Sequence, residues 1–587
     1  MNNKKVYISL FAVSLSIGVL AQETKTKQEL GTEVVNVVRG YEATISDAFK
    51  ISEVPNTDLE NVDSKKEVIY SINSFPVAST FIPEKGEAAA VEKVSRLKAF
   101  NNYVLGGFGN YTNILGEVFL SQKIDKNSYI AGFAKHFSSQ GGINDLLLDD
   151  AFSKTEANIF YGGQLKNFGW TAELGGSYQL SNWYGLPMDD YKFDRGNISG
   201  IDEKQHYKDI YVNTNLEFRN SPFTNLNIHF DHFWDDYSSV ENRFSIKPKV
   251  KTRIGYEADA QLGVVVDYVS TEYKDFDSNY KSEYKNLNIG AEPSVVFNND
   301  DYSIQVGLGV YYNDGKALGK SDNKFYVYPQ VKASYNLVKN ILVTYAGIEG
   351  GLKQNSFKQF ANENPFISPD LAITPTSEKY NLYAGLRGKL DNNISFNVKG
   401  AYKNESDKAT FVHNAFNLEN SAVPYGFGNS FNLEYQNVKT LNLFGEVKYE
   451  FDTNASIGVY GEWNSYDTNG TKAWNLPKFR FGADINLDFT DQWFASMNLF
   501  YVGERYDRFT AIDNSGTIIL DNNHEFSKIK KVDGFVDMNI KVGYRPTKNW
   551  TVFIKGNNIL NDKYDRYDNF RVQGMQIMAG AMFKFDF

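Results

Sequence analysis

The chain has 587 residues, 46 Gly, 14 Pro and no Cys, with a formal net charge of -10. The absence of Cys excludes a disulfide framework, thiol catalysis, Cys-ligated zinc, iron–sulfur clusters and a lipid anchor on an N-terminal Cys, and the acidic balance argues against a broad nucleic-acid footprint. Aromatic residues make up 15% of the chain, yet its mean hydropathy is -0.43; that combination suits strands with one apolar and one wet face better than a helical core.

The first residues read as an address. Lys4 and Lys5 precede an apolar run from Val6 to Leu20, and Val19 and Ala21 form a small-residue cleavage pattern before Gln22. Charged, apolar, then small is the order of a secretory signal. The apolar run of about 15 residues is short of the roughly 20 that a spanning helix needs. No later stretch is apolar enough for a membrane helix, so the mature chain is either free after export or built as a barrel. The expected division is a signal peptide over 1–21, a short N-terminal segment over 22–97 and a large β domain over 98–587. The short segment contains one extended stretch, Thr32-Glu33-Val34-Val35-Asn36-Val37-Val38.

From Asn101 onward the chain alternates with a period of two, the period of a strand. Leu226, Ile228, Phe230, His232 and Trp234 share one face, opposite Asn227, His229, Asp231 and Phe233. Ile394, Phe396, Val398, Gly400 and Tyr402 oppose Ser395, Asn397, Lys399, Ala401 and Lys403. Ile457, Val459, Gly461 and Trp463 oppose Ser456, Gly458, Tyr460 and Glu462. The polar faces are too charged for the middle of a sandwich and fit a lumen, with the apolar faces against lipid.

The connections sort into two sets. Short turns fall around Asp125–Asn127, Ser221–Phe223, Asn299–Asp301, Leu337–Asn340, Asp391–Asn393, Asp452–Asn454, Thr490–Gln492 and Thr547–Asn549. Long polar loops cover Ser139–Ser153, Asn182–Glu203, Asn355–Thr376, Asn417–Asn429 and Phe509–Phe526. Short turns on one side and long loops on the other are the asymmetry of an outer-membrane barrel. Strand cores begin near 101, 113, 128, 154, 169, 205, 223, 240, 258, 281, 301, 323, 340, 377, 392, 430, 455, 474, 491, 530, 549 and 571, which predicts an all-β transmembrane antiparallel barrel of about 22 strands. A barrel that wide must be plugged or it leaks.

Catalytic and metal-binding patterns are not found. Gly315-Lys316-Ala317-Leu318-Gly319-Lys320-Ser321 has three residues between its glycines where a phosphate-binding loop needs four, and it reads as a solvated hairpin between strands. His229 and His232 are i and i+3 on a strand and face opposite sides. His524-Glu525 has no second His at helical spacing. Asp145, Asp149 and Asp150 are too few oxygens for calcium and read as solvated. Trp183, Tyr184, Asp189, Asp190 and Tyr191 combine rings and carboxylates, expected as interfacial girdle or loop packing. The chain is expected to be no enzyme and to need no cofactor or metal.

The last strand is the most specific local signal. Met575, Ile577, Ala579, Ala581, Phe583, Phe585 and Phe587 fall on one face and Gln576, Met578, Gly580, Met582, Lys584 and Asp586 on the other. A terminal aromatic on an alternating strand resembles the signal read by the outer-membrane assembly machinery, with Gly580, Phe583, Phe585 and Phe587 as its candidate residues. Asn557-Asn558-Ile559-Leu560-Asn561-Asp562-Lys563-Tyr564 before this strand resembles the end of TonB-dependent receptors. A pair of strands carrying Tyr435-Gln436-Asn437-Val438 and then Gly445-Glu446 resembles that family's late barrel pattern. The aromatic, Asn-rich style and the Ala21-Gln22 cleavage site resemble Bacteroidota members.

The resemblance implies a 22-stranded barrel in the cell outer membrane with a lumenal plug. It also implies that Thr32 to Val38 is a candidate strand for pairing with the TonB energy-coupling protein by strand addition. Residues 22–97 are short for the family, so the plug is expected to be reduced. Three readings of function stay open: a receptor-like importer of a nutrient or metal chelate, a structural or accessory barrel partnering other outer-membrane proteins, and a passive porin. The expected partners are outer-membrane lipid and the assembly machinery, with no nucleic acid; the sequence names no substrate.

Overall fold

A computed structural model of the chain describes residues 101–193, 198, 201–274, 281–317, 320–339, 341–417, 424–451, 454–512, 520–521, 524–525 and 527–586. The signal segment, Thr32 to Val38 and Phe587 lie outside the described residues. Twenty-two strands form one antiparallel sheet, from Asn102–Gly109 to Gln576–Phe585. The sheet closes because the first strand pairs with the last, in register from Asn102↔Phe585 to Gly109↔Met578. Closure leaves no edge with unpaired backbone groups, the condition for backbone to cross hydrocarbon.

The period-two reading holds. Leu174, Ile210, Val212, Phe230, Val398 and Leu443 are exposed on the outer wall. Asp209, Asp231, Asp267, Asn286 and Asn288 are buried on the inner wall. Two aromatic bands mark the outer surface. Near the short turns, Phe168 and Phe223 flank Phe218 with centroids 5.2 and 5.1 Å away, and Trp550 meets Phe583 at 4.8 Å. Near the loops, Tyr178 meets His206 at 5.3 Å, His232 meets Trp234 at 5.1 Å and Tyr312 meets Phe325 at 5.0 Å. These are the two girdles expected where rings meet the lipid–water interfaces. His232 is outside, whereas His229 lies beside the inner-wall Asp231, so the two share no ligand.

Inside, rings lie across glycines of the adjacent strand. A Cβ on Gly175 would come within 2.8 Å of the Tyr211 ring. Tyr211 in turn donates its hydroxyl to Glu173 at 2.6 Å. The same ring-over-glycine joint sits at the seam, between Phe553 and Gly580. Each joint fills lumenal volume while satisfying or excluding polar atoms.

Two details differ from the sequence reading. Tyr435–Val438 and Gly445–Glu446 lie on a single 21-residue strand, Phe431–Phe451, and not on a pair; the alternation runs through a span too long to look like one strand. Asp150 is not solvated. It is buried and its carboxylate accepts the amides of Gly142 at 2.8 Å and Ile143 at 3.2 Å, tying its loop together.

Candidate functional site at the mouth of the barrel

The long-loop end carries the largest buried apolar cluster among the described residues. Trp183 and Tyr184 come from one loop, and Phe357, Phe360, Ala361, Phe366, Ile367, Leu371 and Ile373 from another. They pack on the inward rings Tyr207, Phe233, Tyr273, Tyr284, Phe411 and Phe431. Trp183 and Tyr184 therefore belong to loop packing and not to the girdle. The loop between the strands Leu342–Lys353 and Thr376–Asp391 read as polar, but its middle turns into the lumen.

A short helix, Phe357–Glu363, leads that inward turn. Ser356 caps it by accepting the Gln359 amide at 3.1 Å, as N-cap serines do. Its first two amides go to the barrel wall: Glu241 accepts from Phe357 at 2.5 Å and from Lys358 at 3.2 Å. The Lys358 ammonium lies 2.9 Å from Asp209 and 2.5 Å from Asp231, and 5.1 Å from the Tyr211 ring centre. Such charge-assisted bonds are stronger than neutral ones. Further along, Phe366 stacks on Phe570 at 3.9 Å, and Phe431 exchanges backbone bonds with Phe366 and Ser368. Tyr435 donates to the Ala372 carbonyl at 2.9 Å and accepts the Thr374 amide at 3.0 Å.

The other loops lock onto this one. Asn558, at a φ of 46°, reaches the Asp562 and Gln573 carbonyls at 2.8 and 3.0 Å and closes the turn of Asn557–Tyr564; left-handed backbone suits Asn better than most residues. Tyr564 stacks on Phe535 at 3.7 Å and donates to Asp537 at 2.7 Å. Arg505 is buried and donates to the carbonyls of Arg566 and Asp565. Burial pulls its guanidinium down to about 10, still charged at neutral pH. His413 Nδ1 lies 3.0 Å from Asp507, and Asp507 also accepts from Asn475 at 2.9 Å.

Asp190 forms a clasp between loops. Its carboxylate pairs with Lys528 and, at 2.6 Å, with Lys530, which also reaches Asp568 at 3.0 Å. Burial alone would push the Asp190 carboxyl up; the two lysines outweigh it and hold it below its ordinary 3.8. A depressed carboxylate contributes stability above its unfolded value and loses it as pH falls through the lower folded value. The expected result is that Asp190→Asn speeds hydrogen exchange of the Tyr191 amide, which is bonded to Pro187, at pH 7. In acid well below 3.8 the variant and the parent should exchange alike.

No group of three His, Cys, Asp or Glu residues among those described could hold a metal ion. The mouth is a set of interlocked loops over a polar lumen. The family model described as "TonB dependent receptor-like, beta-barrel" matches residues 96–559. The chain belongs to that family. No curated protein sequence matches the chain. Solved structures share the barrel of this TonB-dependent receptor-like chain. The FrpB iron transporter from Neisseria meningitidis superposes with a TM-score of 0.63 at 10% identity, covering 83% of this chain and 81% of the other. The ferripyoverdine receptor of the outer membrane of Pseudomonas aeruginosa gives 0.60 at 14% identity, over 83% and 72%. The ferric yersiniabactin uptake receptor FyuA from Yersinia pestis gives 0.58 at 12% identity, over 82% and 80%.

This TonB-dependent receptor-like barrel is an outer-membrane protein, and its loop end is the outer mouth. Of the proposed assembly-signal residues, Phe583 and Phe585 stack on the lipid face at 5.7 Å, while Gly580 faces inward under Phe553. The loop core was missed from sequence. Its signal was there: Phe357, Phe360, Phe366, Ile367, Leu371 and Ile373 are large apolar residues in a stretch read as polar.

Proposed function

We propose that the chain is an uptake receptor that binds a substrate with its outer loops and admits it after an energised rearrangement. In this reading residues 1–21 direct export, residues 22–97 act as a reduced plug and Thr32 to Val38 pair with the TonB protein by strand addition. The observation that carries it is the interlocked outer mouth, built on a family barrel: an ion-paired, aromatic-filled entrance suits passage that depends on movement, not on open diffusion. The iron-related names of the similar structures make ferric chelates the first substrates to try.

The test is accumulation of radiolabelled ferric chelates by cells that carry the chain as their sole such receptor. Uptake should disappear when the proton-motive force is collapsed and when Thr32 to Val38 are deleted. Uptake that survives both treatments, together with a large steady conductance of the purified chain, would replace this reading with a porin. Absence of any uptake or conductance would favour an accessory barrel.

A further inference from the structure

We propose that the loop between the strands Leu342–Lys353 and Thr376–Asp391 is an internal gate across the outer mouth, latched by Lys358 on the barrel wall. The proposal concerns the position of this loop and does not rest on import.

Three observations converge on it. The loop crosses the lumen: it leaves one side of the barrel and meets Tyr207, Asp209, Asp231, Phe233 and Glu241 on strands far from its roots. Its roots are irregular on both sides. The pairing of the two flanking strands shifts between Glu349 and Gly351, and the next pairing shifts between Glu378 and Tyr380. Bulges re-aim a strand and interrupt its ladder, so each root of the loop carries a re-aiming shift a few residues before the strand ends, one of them at Gly350.

The third observation is the nature of the hold. Asp209 and Asp231 sit on adjacent strands, in a register that pairs Asp209 with Phe233 and Tyr211 with Asp231. Both carboxylates are only 6% exposed, while the Lys358 side chain between them is 23% exposed. The lysine relieves repulsion between two buried like charges on the wall. Water reaches it, so the bond can exchange. Glu241 takes the two helix amides in the same way, and its other hydrogen-bond partner, Thr271 at 3.0 Å, stays behind on the wall if the loop leaves. The leading end of the loop is thus held on the wall by these charges beside the packing of Phe357 on Tyr207, Phe233 and Tyr273, and none of these contacts is part of the barrel's ladder.

The absence of Cys from the chain permits a clean test on the full-length protein. Ala361→Cys places one thiol in the loop, where the parent side chain is 3% exposed. Intact cells are then treated with a membrane-impermeant maleimide, and heat-modifiable migration verifies the folded barrel. Labelling should be slow for Ala361→Cys alone. It should rise at least tenfold on adding Lys358→Ala, and equally on adding Asp209→Asn with Asp231→Asn, which break the latch from the opposite side. Ala511→Cys, buried in a neighbouring hairpin, should stay slow in both backgrounds. Fast labelling of Ala361→Cys without a latch change, or an unchanged rate when the latch is broken, overturns the gate. Joint acceleration of Ala511→Cys would mean a general loosening of the mouth and overturns it too. Because no substrate is present, failure here is separable from failure of uptake.

Discussion

Alanine in place of Phe357 is expected to open the inward loop locally by about 3–5 kcal/mol, the range for removing a fully buried phenylalanine. The side chain has no exposure and presents its edge to three wall rings: Phe233 at 5.2 Å, Tyr273 at 5.5 Å and Tyr207 at 6.2 Å. Its loss leaves a ring-sized cavity that the sheet, closed by hydrogen bonds, cannot collapse to fill. The barrel itself should stay folded, because the ladder does not pass through this residue. Hydrogen exchange reads the effect directly. The Phe360 and Asn364 amides are bonded to the Ser356 and Phe360 carbonyls and should exchange about a thousandfold faster, at roughly 1.4 kcal/mol per tenfold. Unchanged protection would mean that the loop is held by its polar contacts alone.

The second large effect is expected at the seam. Alanine at Gly580 would place a Cβ 2.4 Å from the Phe553 ring and 2.6 Å from the Gly106 carbonyl oxygen. The ring could turn aside, but the oxygen belongs to the first strand of the closed sheet and cannot move without spreading the closing pair. The expected cost is about 3 kcal/mol, the upper end of the usual range for overpacking. It should be seen as a lower urea midpoint and a smaller heat-modifiable folded fraction. Adding Phe553→Leu should recover the part due to the ring and leave the part due to the backbone. A fully stable Gly580→Ala barrel would mean that the seam has more slack than these contacts allow.

Much of the barrel is legible in the sequence because lipid outside and a polar lumen inside impose alternation on every strand. Strands begin at Ser128, Phe223, Val240, Ala258, Lys281 and Ala455, where the pattern put them. The three starts read earliest, at 474, 530 and 571, are instead at Phe479, Phe535 and Gln576. Each miss has the same cause. Trp474 is buried in the loop layer, Ser527–Val532 pairs with Arg505–Ile512 above the barrel, and Phe570–Arg571 pairs with Asp565–Tyr567. These segments have ordered, partly apolar strand-like pattern but belong to the mouth. The candidate site was less legible. Period says which way a residue points along a strand; it says nothing of a loop that folds back into the lumen. The ion pairs Lys358–Asp209 and Asp190–Lys530 join residues more than a hundred positions apart, and single-sequence reading has no handle on such distances. Gly580 was singled out for position at the C-terminus, and the packing under Phe553 adds a steric reason of its own.

The pairing of Asn102–Gly109 with Gln576–Phe585 ties residues separated by nearly the whole chain, down to an amide of Asn101 held by Asp586 at 2.8 Å. The first strand of the barrel sheet thus waits for the last one. Until the final segment arrives the sheet has two open edges, the state most prone to wrong partners, and the step that joins them carries the largest loop-closure cost in the molecule. The ring therefore acts as a test of completeness: a chain cut short anywhere in its last strand has no way to seal, and cells would meet it as an unfinished edge rather than as a slightly weaker receptor.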